Sequence, residues 1–149
     1  MKKIILLAVA VLGFTVAAVA QPRAVGLRGG FGVEASYQHS LGANFVDASL
    51  GLSGKFLNVA ATYNWMIAKP QWTDRGEWGV YAGPGAALGF GSGFLNVGVA
   101  GEVGLEYQFW FPLQLSIDIR PQLGLMTGNG IAKLTCWGWY PALGVRYKF

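Results

Sequence analysis

The sequence predicts an all-β chain that closes into a transmembrane antiparallel up-and-down β-barrel of eight strands. Three observations predict it. Apolar residues alternate with polar or small ones in segment after segment, as on strands with two unlike faces. The 149 residues include 23 glycines and only 12 % charged residues, and no stretch carries apolar residues at the three-and-four spacing of a helix. The aromatic residues gather near the strand ends, whereas a soluble core has no reason to sort its rings into belts.

The chain starts with "MKK", continues with the apolar run "IILLAVAVLGFTVAAV" and reaches the small-residue site Ala18-Val19-Ala20. These are the three parts of a secretory signal peptide, so residues 1–20 are expected to be cleaved and residues 21–149 to form one exported barrel domain. An uncleaved membrane helix is the rival reading, but the run is close to the minimum spanning length of ~17 residues and meets Gln21 and Pro22 at once. Loss of Lys2 and Lys3 lowers the formal net charge from +4 to +2, too small and scattered an excess for nucleic-acid binding. Cys136 is the only cysteine and His39 the only histidine, so no internal disulfide, metal cluster or cofactor is expected.

Seven segments alternate clearly. They are "FGVEASYQH", "VDASLGL", "LNVAATYNWMI", "WGVYAGPGAALGF", "VGVAGEVGLEYQF", "LQLSIDIRPQL" and "ALGVRYKF". A closed bacterial barrel needs an even number of strands. The eighth is expected in "RAVGLRG", with Val25 and Leu27 outward, Gly26 and Arg28 inward, and Gly29-Gly30 turning the chain into the next strand. The alternative is one uninterrupted strand from Arg23 to His39, since the phase does not break.

Alternation alone does not say which face is inside. A soluble secreted β-protein would bury the apolar face, and a membrane barrel would turn it outward. Tyr37, Trp65, Trp78, Tyr107, Phe109, Tyr147 and Phe149 all fall on apolar faces beside one set of alternate turns. Phe31, Phe56, Phe90 and the "WGWY" of residues 137–140 stand at the opposite ends. Nine residues separate Phe56 from Trp65, roughly 23 Å at a tilt of ~40°, close to the ~25 Å apolar band of an outer-membrane barrel. The other face carries Arg28, Glu34, Asp47, Glu102, Glu106, Asp118, Arg120, Arg146 and Lys148. In a membrane barrel those charges line the lumen and must pair.

The turns alternate between two ends. Gly42–Asn44, Lys69–Glu77 and Trp110–Pro112 belong with the C-terminus, on the periplasmic side of such a barrel. Gly29-Gly30, Ser53-Gly54, Gly91–Phe94 and a long loop at Thr127–Gly138 belong outside. The nine-residue segment Lys69–Glu77 sits where short turns are the rule.

The terminal "VRYKF" resembles the closing strand of the small bacterial outer-membrane β-barrels, and "GLRGGFG", "WGVYAGPGAALG" and "PLQLSIDIRP" are similar to segments of that group's short members. The resemblance implies outer-membrane localisation, lipid as surroundings, recognition of the C-terminal strand by the barrel assembly machinery, and a monomer; its motifs are architectural and imply no activity. Lipid-A-modifying hydrolases of barrel form use serine, histidine and an acidic residue, which brings His39, Ser40 and Glu34 to mind. The period-two phase puts His39 on the lipid side, away from Glu34, so a catalytic role is not expected. Glu102 and Glu106, roughly 13 Å apart on one strand face, are too distant to work on one bond. "GPGAALG" has a phosphate-loop look, but no helix follows it. An eight-stranded barrel is just wide enough for its own side chains, so the expected function is that of a mostly filled, structural or surface-interaction barrel. A narrow pore, or a binder or transporter of a small apolar molecule, remains the alternative. The inward small residues Gly79, Gly83, Gly85, Ala87, Gly89, Gly98, Ala100 and Gly104 either leave space for that or make room for Tyr81 and the arginines.

Overall fold

The computed structural model describes residues 22–30 and 32–148. The expected signal peptide and the aromatics Phe31 and Phe149 lie outside the described residues. The described chain folds into ten strands: β1 (Pro22–Gly29), β2 (Val33–Leu41), β3 (Asn44–Ser53), β4 (Phe56–Ala68), β5 (Glu77–Gly91), β6 (Phe94–Gln108), β7 (Leu113–Ile119), β8 (Gln122–Gly128), β9 (Ile131–Trp137) and β10 (Pro141–Lys148).

Ten strands make an eight-stranded wall because two are broken. β7 and β8 both pair with β6 in one unbroken register, Val103 facing Ile119 and Ala100 facing Gln122. The interruption falls at Arg120-Pro121, where proline has no N–H for the ladder. The Pro121 carbonyl still accepts from the Gly101 N–H at 2.9 Å. β9 pairs with β8 and β10 with β7, the two halves being joined through Gly138, whose φ of 83° suits glycine. β1 pairs antiparallel with both β2 and β10, Ala24 facing Lys148, and this closes the barrel. "RAVGLRG" is therefore a strand of its own, not the start of a longer one.

The register fixes the geometry. Following paired residues once round the wall from Leu105 leads through Ile117, Leu143, Gly29, Val33, Leu52, Leu57 and Phe90 back to β6 at Leu95, ten residues from the start. Eight strands at ~4.8 Å spacing with that offset must tilt by roughly 40° from the axis. The resulting interior has room for side chains and little else.

The two faces then sort as alternation requires, but inside out. Among the described residues, eighteen polar or charged residues are buried against seven hydrophobic ones, five of which are alanines. Leu27, Val33, Leu52, Val99, Val103, Ile117, Leu143 and Val145 are all exposed on the outside.

All turns fall at the ends expected of them. The upper end nevertheless differs in two ways from the sequence expectation. Thr127–Gly138 is no loop, because β8 and β9 run on to a two-residue turn at Asn129-Gly130. Their φ angles of 51° and 75° are those of a type I′ turn, for which Asn-Gly is the favoured pair. Phe56 is also not an outward girdle residue: an odd spacing from Trp65 puts the two on opposite faces, and Phe56 stacks on Phe94 inside the upper mouth at 5.8 Å between centroids. Phe90 does face outward.

At the lower end the long segment between β4 and β5 has a physical explanation. It is tied to the aromatic belt: Trp72 packs on Trp78 at 5.3 Å, Trp78 on Tyr107 at 4.7 Å and Tyr107 on Phe109 at 4.6 Å. The Trp78 indole donates to Thr73 Oγ1 at 3.1 Å, and the Tyr107 hydroxyl to the Arg75 carbonyl at 3.0 Å.

The Asn129-Gly130 turn gives a test. Gly130→Val forces a β-branched residue to a positive φ and should lower unfolding free energy by about 1–2 kcal/mol. Gly29→Val, at a strand end with open space around its Cα, should change it by less than about 0.5 kcal/mol. Urea titration of the refolded barrels, followed by far-ultraviolet circular dichroism, compares them; equal losses would contradict the turn assignment.

Candidate functional site: the charged lumen and the upper cavity

Four arginines and five carboxylates meet in the lumen, contributed by six of the ten strands and by the Arg120 break. Arg120 is 1 % exposed and lies at the centre. Its Nη1 donates to Glu34 Oε2 at 3.2 Å and Ser49 Oγ at 2.5 Å, and its Nη2 to Asp47 Oδ1 at 3.4 Å and Glu102 Oε1 at 3.1 Å. Arg146 donates from Nη2 to the other oxygen of Asp47 at 3.1 Å, from Nε to Ser36 Oγ at 2.8 Å and from Nη1 to Ser116 Oγ at 2.6 Å. Arg28 bridges Glu34 at 2.9 Å and Asp118, which it also meets through Nε at 2.8 Å. Guanidinium forks suit this task because one side chain holds several acceptors in fixed directions.

Nearer the lower end, Glu106 is held by Arg23, by Gln114 at 2.6 Å and by Gln108 at 2.9 Å. The Thr62 hydroxyl donates to Glu102 Oε2, and the Asn64 amide to the same oxygen at 2.9 Å. Few of these charges rest on one partner alone, which is what a narrow, low-dielectric interior demands.

Of the nine charges expected inside, eight join this network. Lys148 shares the inward face at its lower end and is half-buried, but among the described residues no ion pair includes it. Arg23 was missed. Strict alternation puts it outside, but a register irregularity between Pro22 and Ala24 turns it inward, where its guanidinium lies 4.2 Å over the Phe45 ring. Phe45, fully buried and edge-on to Tyr81 at 5.2 Å, was missed too. The only available signal was negative: an arginine on a lipid-facing phase is costly enough to doubt the phase.

The inward glycines accommodate large neighbours here. A Cβ on Gly104 would run into the Tyr81 ring, one on Gly144 would sit 2.8 Å from Arg146 Nη1, and one on Gly51 2.6 Å from Glu34 Cγ. β5 contributes Tyr81 with Gly79, Gly83, Gly85, Ala87 and Gly89 on this face, leaving room for the arginines of the opposite wall.

Above the network the lumen widens. A cavity of about 650 Å3 lies at the upper mouth, floored by Arg28, Glu34 and Arg120 and walled by Phe56, Phe94, Trp137 and other residues. Cys136 is exposed on its rim, with the Trp139 indole donating to its Sγ at 2.9 Å. At the other end His39 Nδ1 stands 3.2 Å from the Tyr37 hydroxyl, and Trp65 and Tyr147 are exposed on the outer surface. No family model, curated protein or solved structure matches the chain.

The network predicts a strong asymmetry between two substitutions. Arg120→Leu leaves Asp47, Glu34 and Glu102 facing one another without their shared counter-charge and should cost about 3–5 kcal/mol. Lys133→Leu, on the exposed outer part of β9, should cost less than about 0.5 kcal/mol. Equal denaturation midpoints of the two variants in detergent would contradict the network.

Proposed function

We propose that the protein is an integral outer-membrane β-barrel, a structural or surface-interaction element whose lumen is filled rather than conducting. The single observation that carries this reading is the inverted burial, with arginines and carboxylates inside and a continuous coat of Leu, Val and Ile outside. A coat of that kind is costly in water and favourable against lipid. The aromatic belt at the lower end supports the reading, since Trp and Tyr side chains suit the membrane–water interface. On this reading the lower end is periplasmic, the upper turns face outward, and His39 is an interfacial partner of Tyr37 rather than a catalytic base.

The filled lumen follows from the ion pairs. A pore would need a water path past Arg120 and Arg146, both of which are held by three or more acceptors. The upper cavity favours a second property of the same barrel, binding of a small partly apolar molecule at its outer mouth.

The mature chain should fractionate with the outer membrane, migrate faster on gels when unheated, and give no steady single-channel conductance in planar bilayers. Recovery as a soluble periplasmic protein would end the membrane reading, and a steady open level would end the filled-lumen reading. Recognition by the assembly machinery makes a further prediction. Phe149→Asp should refold in detergent with a loss of no more than about 1 kcal/mol, the cost of a charge near an interface, yet be depleted from the outer membrane of cells. Insertion as efficient as the parent's would remove that role from the C-terminal strand.

A further inference from the structure

The ion pairs at the centre of the lumen do not balance. Arg28, Arg120 and Arg146 are joined to Glu34, Asp47, Glu102 and Asp118 in one connected cluster, so three positive charges meet four negative ones and one negative charge is left over. The Arg23–Glu106 pair nearer the lower end balances itself, and Lys148 stands at that end too. Lys55 and Lys133, at the upper end, form no ion pair among the described residues and do not line the upper cavity. An uncompensated charge in so narrow an interior is costly, which favours a counter-charge wherever the cluster can be reached.

Among its carboxylates the cluster opens at Glu34. The Glu34 side chain is 16 % exposed, whereas those of Asp47, Glu102 and Asp118 are fully buried. Arg28 and Arg120 both bind Glu34 through Oε2; Oε1 has no partner among the described residues and is not enclosed, unlike the equally unpartnered Asp118 Oδ2. Glu34 lies on the floor of the upper cavity, whose walls include Phe56, Phe94 and Trp137. Phe56 and Phe94 stack with 19° between their planes, and aromatic faces attract a cation within ~6 Å of the ring centre. The other charges of the floor, Arg28 and Arg120, are almost wholly buried and turn their guanidinium groups onto the carboxylates of the cluster.

From these features we infer that the upper cavity binds a small organic ammonium ion, its N–H donating to Glu34 Oε1 and its apolar body lying against Phe56, Phe94 and Trp137. This rests on the reading of the upper cavity as a binding site and gives its ligand a charge. The volume of about 650 Å3 is within the ~300–1,000 Å3 of small-ligand sites and far exceeds what a bare ion fills. Among the described residues no group of three His, Cys, Asp or Glu side chains could hold a metal ion, so an organic cation fits where a metal does not. The ammonium supplies the positive charge that the cluster lacks, and the rings supply surface for the rest of the molecule. A neutral ligand would leave the excess charge unmet, and an anion would add to it.

Isothermal titration calorimetry of the refolded barrel in a neutral detergent, corrected for uptake by empty micelles, tests this with phenethylammonium, phenethyl alcohol and phenylacetate. The ammonium should bind about tenfold more tightly than the alcohol, in line with a hydrogen bond to a charged group, and phenylacetate more weakly than either. Glu34→Gln removes the excess charge and should bring ammonium and alcohol to equal affinity. Phe94→Leu keeps apolar volume but removes a ring face, and should reduce the preference for the ammonium about threefold; it reads the same site even where Glu34→Gln fails to refold. Heat-modifiable mobility identifies the folded variants. Equal binding of ammonium and alcohol by the parent, the result if a proton rather than a ligand met the excess charge, would refute the inference. An undiminished preference in either folded variant would refute it too. If none of the three probes binds the folded barrel, the reading of the cavity as a binding site falls with it. Because micelles replace the bilayer, none of these outcomes bears on whether cells insert the barrel.

Discussion

Closing eight strands with a ten-residue offset is the constraint from which the rest follows. That offset sets the tilt, the tilt sets the diameter, and the diameter leaves an interior filled by side chains. Every inward residue then competes for the same narrow space. β5 and β6 meet this demand with glycines, so that Tyr81 lies over Gly104 and the arginines can extend across the lumen from β1, β10 and the Arg120 break. A bulky residue at Gly104 would have to displace a buried ring.

The same narrowness makes the charges interdependent. Buried ion pairs are weak evidence of stability in themselves, because desolvation offsets much of their attraction. What they impose is completeness. Asp47 is held by both Arg146 and Arg120, and Glu34 by both Arg28 and Arg120, so these arginines act as cross-ties between strands distant in sequence. Removing one tie strands several partners at once. The apolar outside then has no competing demand placed on it, and its aliphatics can form one coat.

Most of the wall was legible in the sequence, because a closed barrel imposes period two on every strand. Eight inward charges and the strand in "RAVGLRG" followed from phase alone. Failures occur where phase breaks or where spacing was read without it. Arg23 sits at a register irregularity, which turns it inward against the pattern. Phe56 was paired with Trp65 by distance, although nine residues put them on opposite faces. The Asn-Gly at 129-130 is a strong hairpin signal, hidden by polar and small neighbours that resemble a loop. The upper cavity was not legible: none of the small inward residues from Gly79 to Gly104 lines it, and whether glycines leave space or make room depends on which side chains cross the lumen, which is a tertiary fact.

The central claim is that the aliphatic face of this barrel meets lipid while its charges meet one another. Spin labels placed singly at Val103, Ile117 and, for comparison, Lys55, in a Cys136→Ser background, test it most directly. In bilayers, labels at Val103 and Ile117 should collide readily with oxygen and scarcely with a water-soluble nickel chelate, while the label at Lys55, in the exposed turn after β3, should show the reverse. If the chelate reaches Val103 and Ile117 as freely as Lys55, the aliphatic coat faces water and the account is wrong.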